Sequence, residues 1–226
     1  LSAHYQCGGG KIVAWKQPAV MLSSCVDHHT GERGHQQHLV DVQFATRPEA
    51  RLWVNHPGDV APGSEARPSF WAGNGVLPRV MQVENQAMLL WQLDEQESQG
   101  WTHLHLHTEA FDEVRPLAQG VVVRAGNAFA AVLCSQPLTV NGDEVRAEGR
   151  RVAWWLEVGE GDFSTFCQRV QALRIEHQGD VARVIDSQHT QMQLDGQGNC
   201  QHHGKAAAFP TRVGNEIQVT VSGDVQ

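Results

Sequence analysis

Residues 101–107 read W-T-H-L-H-L-H, and this strict alternation constrains the chain more than any other stretch. In an extended strand successive side chains point to opposite faces. Trp101, His103, His105 and His107 therefore share one face, and Leu104 and Leu106 take the other. A helix would scatter the same residues around its circumference. The period of two returns over 35–46, H-Q-Q-H-L-V-D-V-Q-F-A-T, where His38 is expected on the face of Val40, Val42 and Phe44.

Around these stretches lie many short apolar runs closed by turn residues. They are 11–17 and 19–26, broken at Pro18, then 80–94 about Glu84-Asn85-Gln86, 121–134 about Gly126-Asn127, 138–147 about Asn141-Gly142, and 152–158. Asn-Gly is among the strongest short hairpin signals. Shorter late runs follow at 181–185, 191–194, 206–209 and 216–221. Only one stretch changes to helical spacing: Phe163, Phe166, Val170 and Leu173 behind the N-cap candidate Asp162 predict a helix over about 162–176, closed by Gly179. The pattern predicts an all-β protein, a large antiparallel β-sandwich of the supersandwich kind with one short helix. A length of 226 residues suits a main sandwich over 1–177 followed by a small β-subdomain over 178–226.

Composition narrows the partners. A formal charge of −8 and only three lysines, Lys11, Lys16 and Lys205, leave no basic patch, which argues against nucleic acid. No apolar run reaches the length of a membrane span, so no membrane partner is expected. The five cysteines, Cys7, Cys25, Cys134, Cys167 and Cys200, stand far apart without C-x-x-C spacing and read as buried free thiols. They favour a reducing compartment, yet one bridged pair would suit the periplasm, so periplasm and cytoplasm both stay open. The chain starts without methionine and reads as the C-terminal part of something longer.

The stretch 53–79 begins as a strand, turns at Pro57-Gly58, and continues as a long loop carrying Arg67, Phe70, Trp71, Asn74 and Arg79. Such loops inside compact domains are usually functional or disordered, and Phe-Trp beside Gly-Asn-Gly does not suit a disordered linker. Two readings stand. The loop forms a site where aromatics meet a flat ligand, or it plugs the open end of a β-structure with those aromatics.

The 13 histidines pose a similar choice. His103 and His105, about 7 Å apart on one strand face, form an H-x-H pair able to hold a metal as in cupin-like barrels. Their third ligand would come from His202-His203. The alternatives are a solvated sheet face and a cleft floor on which one histidine performs acid–base work. His28-His29 and His202-His203 sit in polar turns and read as surface residues. Adjacent Asp112 and Glu113 point to opposite faces of a strand, so they form no glycosidase pair alone; one is the expected ion-pair partner of Arg79 or Arg67. No G-x-S-x-G, H-E-x-x-H or phosphate-cradling glycine loop occurs.

Six stretches taken together carry a resemblance: M-L-S-S (21–24), G-H-Q-Q-H (34–38), V-N-H-P-G (54–58), R-P-S-F-W-A-G-N-G-V-L-P-R (67–79), T-H-L (102–104) and F-D-E (111–113). They resemble the heparinase II/III-like class of bacterial proteins, in which an α/α toroid precedes antiparallel β-sandwich domains and the whole acts on polysaccharides. The likeness spans most of 11–175, and F-W-A-G-N-G is its most specific part. It implies a β-domain leaning over a cleft whose catalytic groups come mostly from an upstream toroid. This chain holds nothing like that run of long amphipathic helices. The resemblance also implies a histidine supplied by the β-domain, carried here by His38, His56 and His103, and a structural zinc ion as in several relatives. His105 and His107 depart from the family pattern, which weakens the H-x-H metal reading.

The first expectation is therefore the β-sandwich part of a carbohydrate-active enzyme, a polysaccharide lyase or glycoside hydrolase, incomplete without its toroid. A lyase needs a base for the proton α to a uronate carboxylate and a group that neutralises that carboxylate. His103 or His56 would be the base or its helper. Arg67, Arg79 and Asn74 would face the carboxylate, with Asn55 and His38 also touching substrate, and Trp71 would stack on a sugar ring. A non-catalytic glycan-binding or bracing module is the second expectation. A cupin-like enzyme with a metal on His103 and His105 is the third.

Overall fold

In the computed structural model, which describes residues 2–7, 10–97, 99–209 and 218–220, the short apolar runs pair into antiparallel sheets stacked in three layers. The widest has nine strands in the order Leu138–Asn141, Glu144–Glu148, Trp101–Leu106, Arg51–Asn55, Val40–Phe44, Val20–Val26, Gly10–Lys16, Ser2–Cys7 and Gln218–Thr220. The second has six, in the order Glu113–Leu117, Gly120–Ala125, Ala128–Cys134, Arg151–Glu160, Gln86–Gln92 and Arg79–Val83. The third has five, running from Arg174–Gln178 through Val181–Ile185, Thr190–Asp195 and Cys200–His202 to Lys205–Ala207. Arg33–His35 and Asn74–Val76 form a separate two-stranded ribbon. Among the described residues no helix is long and apolar enough to cross a membrane.

The six-stranded sheet is the middle layer, and its composition follows from that. Val121, Val123, Ala130, Val132, Trp154 and Leu156 meet Leu22, Val42, Leu52, Val54 and Leu104 of the wide sheet in one apolar cluster. Their chain neighbours Val122, Ala131, Leu133, Ala153 and Trp155 meet Phe166, Cys167 and Val170 of the helix and Ile175, Ala182, Val184, Met192 and Leu194 of the third sheet in another. Every residue of Ala128–Cys134 is buried, so that strand shows a continuous apolar run instead of alternation. Each large side chain so buried contributes about 1.5–3 kcal/mol.

The helix, Phe163–Gln171, starts as its sequence predicts, with the Asp162 carboxylate accepting the Thr165 N–H at 3.1 Å. It ends at Ala172, earlier than expected, because Arg174–Gln178 is already a strand of the third sheet. Gly179, at φ +59°, turns that hairpin and does not close the helix. The third sheet thus begins before residue 178. The single strand expected over 35–46 is two strands, Arg33–His35 in the ribbon and Val40–Phe44 in the wide sheet. Of the run expected at 216–221, Gln218–Thr220 is a strand and the rest lies outside the described residues. Cys25, Cys134, Cys167 and Cys200 are free thiols, and the last three are buried.

Candidate functional site

Cross-strand register decides which side chains meet on the outer face of the wide sheet. His103 stands opposite Asn55 on one side and Arg146 on the other, His105 opposite Trp53 and Glu144, and Trp53 opposite Asp41. Leu104 and Leu106 turn inward to the core. His107 lies past the strand end and pairs with Asp143 at 3.0 Å. His38 does not share the face of Val40, Val42 and Phe44. It precedes the strand and swings to the outer face, stacking on Trp53 and reaching Asp41 at 3.2 Å.

The loop after Asn55 folds back onto this face. The Trp71 carbonyl accepts from Trp53 Nε1 at 2.7 Å and from Asn55 Nδ2 at 2.5 Å. Its indole lies flat over His103, with centroids 5.1 Å apart and 1° between planes. Buried Phe70 meets the same imidazole edge-on at 4.7 Å. Trp53 is sandwiched between His38 at 4.4 Å and His105 at 3.8 Å, and the Arg146 guanidinium sits 3.6 Å from the centre of Trp101. The glycines of the loop admit its own proline: a Cβ on Gly73 would stand 2.3 Å from Pro68 Cβ, and one on Gly58 2.4 Å from the Pro68 carbonyl oxygen. Phe70 is buried against the sheet face, as the plugging reading expects, while Trp71 stays half-exposed.

Burial governs the protonation of this face. It pushes the His103 imidazole below its ordinary pKa, against the opposing pull of Glu144. Burial alone would raise the Glu144 carboxyl, but hydrogen bonds from His103 and Arg146 hold it below the usual range. The pair is then a neutral imidazole and a carboxylate, so His103 Nδ1–H donates to Glu144 across 3.3 Å, with the Phe70 backbone a further, poorly formed hydrogen-bond contact of the ring. Arg146 grips the same carboxylate through Nε at 3.0 Å and Nη2 at 3.2 Å. Burial carries His105 down to about 4. Six buried polar atoms on this face, His38 Nε2, Asp41 Oδ1, Arg51 Nε, Asn55 Oδ1, His103 Nε2 and His105 Nδ1, make no well-formed hydrogen bond. Folded proteins seldom leave such groups unmatched.

Other candidate residues hold the loop in place. His56 is fully buried; its Nε2–H donates to the Gln99 carbonyl at 2.8 Å and its Nδ1 accepts the Val76 N–H at 3.0 Å. Both ring nitrogens are thus taken by backbone, and burial lowers its pKa. Asn74 accepts the His56 N–H at 3.3 Å and donates to the Gln37 carbonyl at 2.6 Å. Arg67 is exposed and donates to the carbonyls of Glu65 and Ala66. Arg79 pairs with Asp27 at 3.1 Å and donates to the Gly196 carbonyl at 2.9 Å, joining the middle and third sheets. Neither arginine pairs with Asp112 or Glu113, whose partners are Arg47, Arg115 and Arg124. The arginines that do reach the aromatic face are Arg51 and Arg146, which sequence reasoning missed together with Asp41 and Glu144.

For the zinc ion that the resemblance implies, the described residues contain no ready-made group of three or more His, Cys, Asp or Glu side chains. Among the described residues His103 and His105 find no third such side chain to complete a group. His202 ends a strand of the third sheet, a different layer from these two.

Fold and face together define the class, an antiparallel β-sandwich whose outer sheet carries an aromatic and imidazole patch closed by a folded-back loop. No family model, curated protein or solved structure matches the chain.

Proposed function

We propose that this β-sandwich is the glycan-holding part of a carbohydrate-active protein and completes a cleft for an acidic glycan with a second domain, the α/α toroid that the resemblance implies. One observation carries the reading: the Trp71 indole lies flat on buried His103, so its other face turns away from the sheet. A sugar ring offers C–H groups to such a face. Guanidinium groups such as those of Arg51 and Arg146 suit carboxylates and hydroxyls, and the unmatched polar atoms around Trp53 suit hydroxyls. The test is calorimetric titration with uronate-containing and neutral oligosaccharides of equal length. Trp71→Ala should abolish uronate binding and Arg67→Ala should leave it unchanged. No binding of either glycan, or binding indifferent to Trp71→Ala, overturns the reading.

A second reading, in which the patch also supplies the base of a lyase, is favoured by the Glu144–His103 pair, a carboxylate that orients a neutral imidazole. Phe70 and Trp71 cover that ring, so the loop would have to lift before substrate reached it. With the toroid domain supplied, unsaturated product should form and vanish in His103→Gln. Product formation by that variant removes His103 from the chemistry.

A further inference from the structure

At one side of the sandwich the outermost strands are Leu138–Asn141 in the wide sheet and Glu113–Leu117 in the middle one. Between them lies an apolar cavity of about 280 Å³. Leu106, Leu138, Val140 and Val145 line it from the wide sheet, and Val114, Leu117 and Val121 from the middle one. Among the described residues that wall it, only Thr108 has a polar side chain. Val140 is 66% exposed, one of two large apolar side chains so placed among the described residues.

Register fixes where the backbone of this edge points. Leu106 N–H donates to the Asp143 carbonyl at 2.8 Å. Backbone direction alternates along a strand, so Val145 and Ala147 also turn theirs toward Trp101–Leu106, and Glu144 and Arg146 turn theirs toward Asn141 and Thr139. Leu138 and Val140 then hold their N–H and C=O groups outward, where no strand pairs with them among the described residues. Their side chains stand opposite Ala147 and Val145, both core residues, and so face the cavity. Native sheets blunt such edges with proline and charge. Glu113–Leu117 does so, through Pro116 and the ion pairs of Glu113 with Arg115 and Arg124. The Leu-Thr-Val-Asn edge carries neither device.

We propose that Leu138–Asn141 takes up an extended peptide as a further strand of the wide sheet, with apolar side chains at alternate positions entering the cavity. In strand addition main-chain hydrogen bonds give affinity, and pockets for alternate side chains give specificity. The rim favours basic residues between the apolar ones. Glu109 follows Thr108, Asp143 lies in the turn after Asn141, and Glu148 ends the neighbouring strand; all three are exposed. Their basic neighbours are Arg146, held by Glu144 and the Trp101 ring, and His107, paired with Asp143, which leaves the rim acidic. A second copy of the chain is a poor occupant. Pairing Leu138–Asn141 with itself about a two-fold axis joins four residues a side, against about 20–30 in a stable interface. The proposal does not rest on the glycan reading.

The test is fluorescence anisotropy of the labelled peptide Lys-Val-Lys-Val-Lys-Val-Lys with the whole chain, beside Lys-Lys-Val-Val-Val-Lys-Lys of the same composition. The alternating peptide should bind at least about tenfold more tightly, and N-methylation at its valines should remove that advantage by taking away the paired donors. Val140→Pro deletes the outward N–H and should weaken binding by about tenfold or more. An edge strand tolerates proline where its N–H faces solvent, so circular dichroism should show the fold intact. The N-methylated peptide tests the same pairing without altering the chain. Val60→Thr, at the other exposed large apolar residue, should change nothing. Equal affinity for the two peptides, or binding indifferent to N-methylation and to Val140→Pro, overturns the proposal. So does a dimer of the free chain that Val140→Pro dissociates, or binding of decanol in place of the peptide.

Discussion

At the residue scale, burial moves three histidines of the sandwich in one direction. His56, His103 and His105 all lie below the ordinary imidazole pKa because burial disfavours the cation, whereas hydrogen bonding to Asp143 raises exposed His107. For His105 the folded value is about 4, while the unfolded chain takes up the same proton near the ordinary value of about 6.5. The unfolded state therefore binds more protons between these values, and stability rises with pH across them. The contribution is whole above about pH 6.5 and is lost as pH falls toward 4. Nuclear magnetic resonance titration should place the His105 ring midpoint near 4 and that of His107 above its ordinary value. The urea midpoint of unfolding should fall over the same acid range. A His105 midpoint at or above about 6.5 would contradict a ring held against Trp53.

Among the elements, the loop that carries Phe70 and Trp71 depends on one close approach. A Cβ at Gly73 would meet Pro68 Cβ at 2.3 Å and the Ser69 nitrogen at 2.5 Å, so Gly73→Ala forces the loop to shift. Tryptophan fluorescence should change and uronate binding should weaken, with a small drop in thermal midpoint, because Trp71 lies outside both apolar clusters. Wild-type fluorescence and affinity in this variant would mean that Pro68 does not anchor the loop. What the sequence made legible is what depends on near neighbours. Alternation set His103 and His105 opposite Leu104 and Leu106, and Gly126-Asn127 and Asn141-Gly142 marked hairpins whose two strands adjoin in the chain. His103 and Glu144 are 41 residues apart, with strands of the middle sheet between them in sequence, and no periodicity signals that meeting. Arg67 and Arg79 share the loop stretch of Trp71 in the sequence, while Arg51 and Arg146 reach the patch through strand pairing. His56 carries a functional residue type, but its partners, the Gln99 carbonyl and the Val76 N–H, belong to distant backbone.

For the whole molecule, the middle sheet decides how the layers come apart. Its strands carry apolar side chains on both faces, one set packed on the wide sheet and the other on the helix and third sheet. Opening the third sheet alone would expose Ile175, Val184, Met192 and Leu194 together with Leu133, Met88 and Trp155 beneath them. At about 1.5–3 kcal/mol for each large side chain, that exposure is comparable with or larger than the whole net stability of an ordinary domain, about 5–15 kcal/mol. Arg79 adds a polar tie, holding Asp27 at the end of the wide sheet and the Gly196 carbonyl of the third. The layers should therefore unfold in one cooperative step, although the sequence divides most simply into 1–177 and 178–226. Amide exchange in rising urea provides the measurement. Ala182 and Leu194 in the third sheet should lose protection at the same urea concentration as Ala130 and Val132 in the middle one. Protection lost first at Ala182 and Leu194, with Ala130 and Val132 still closed, would show that the third sheet is an independent unit resting on the sandwich.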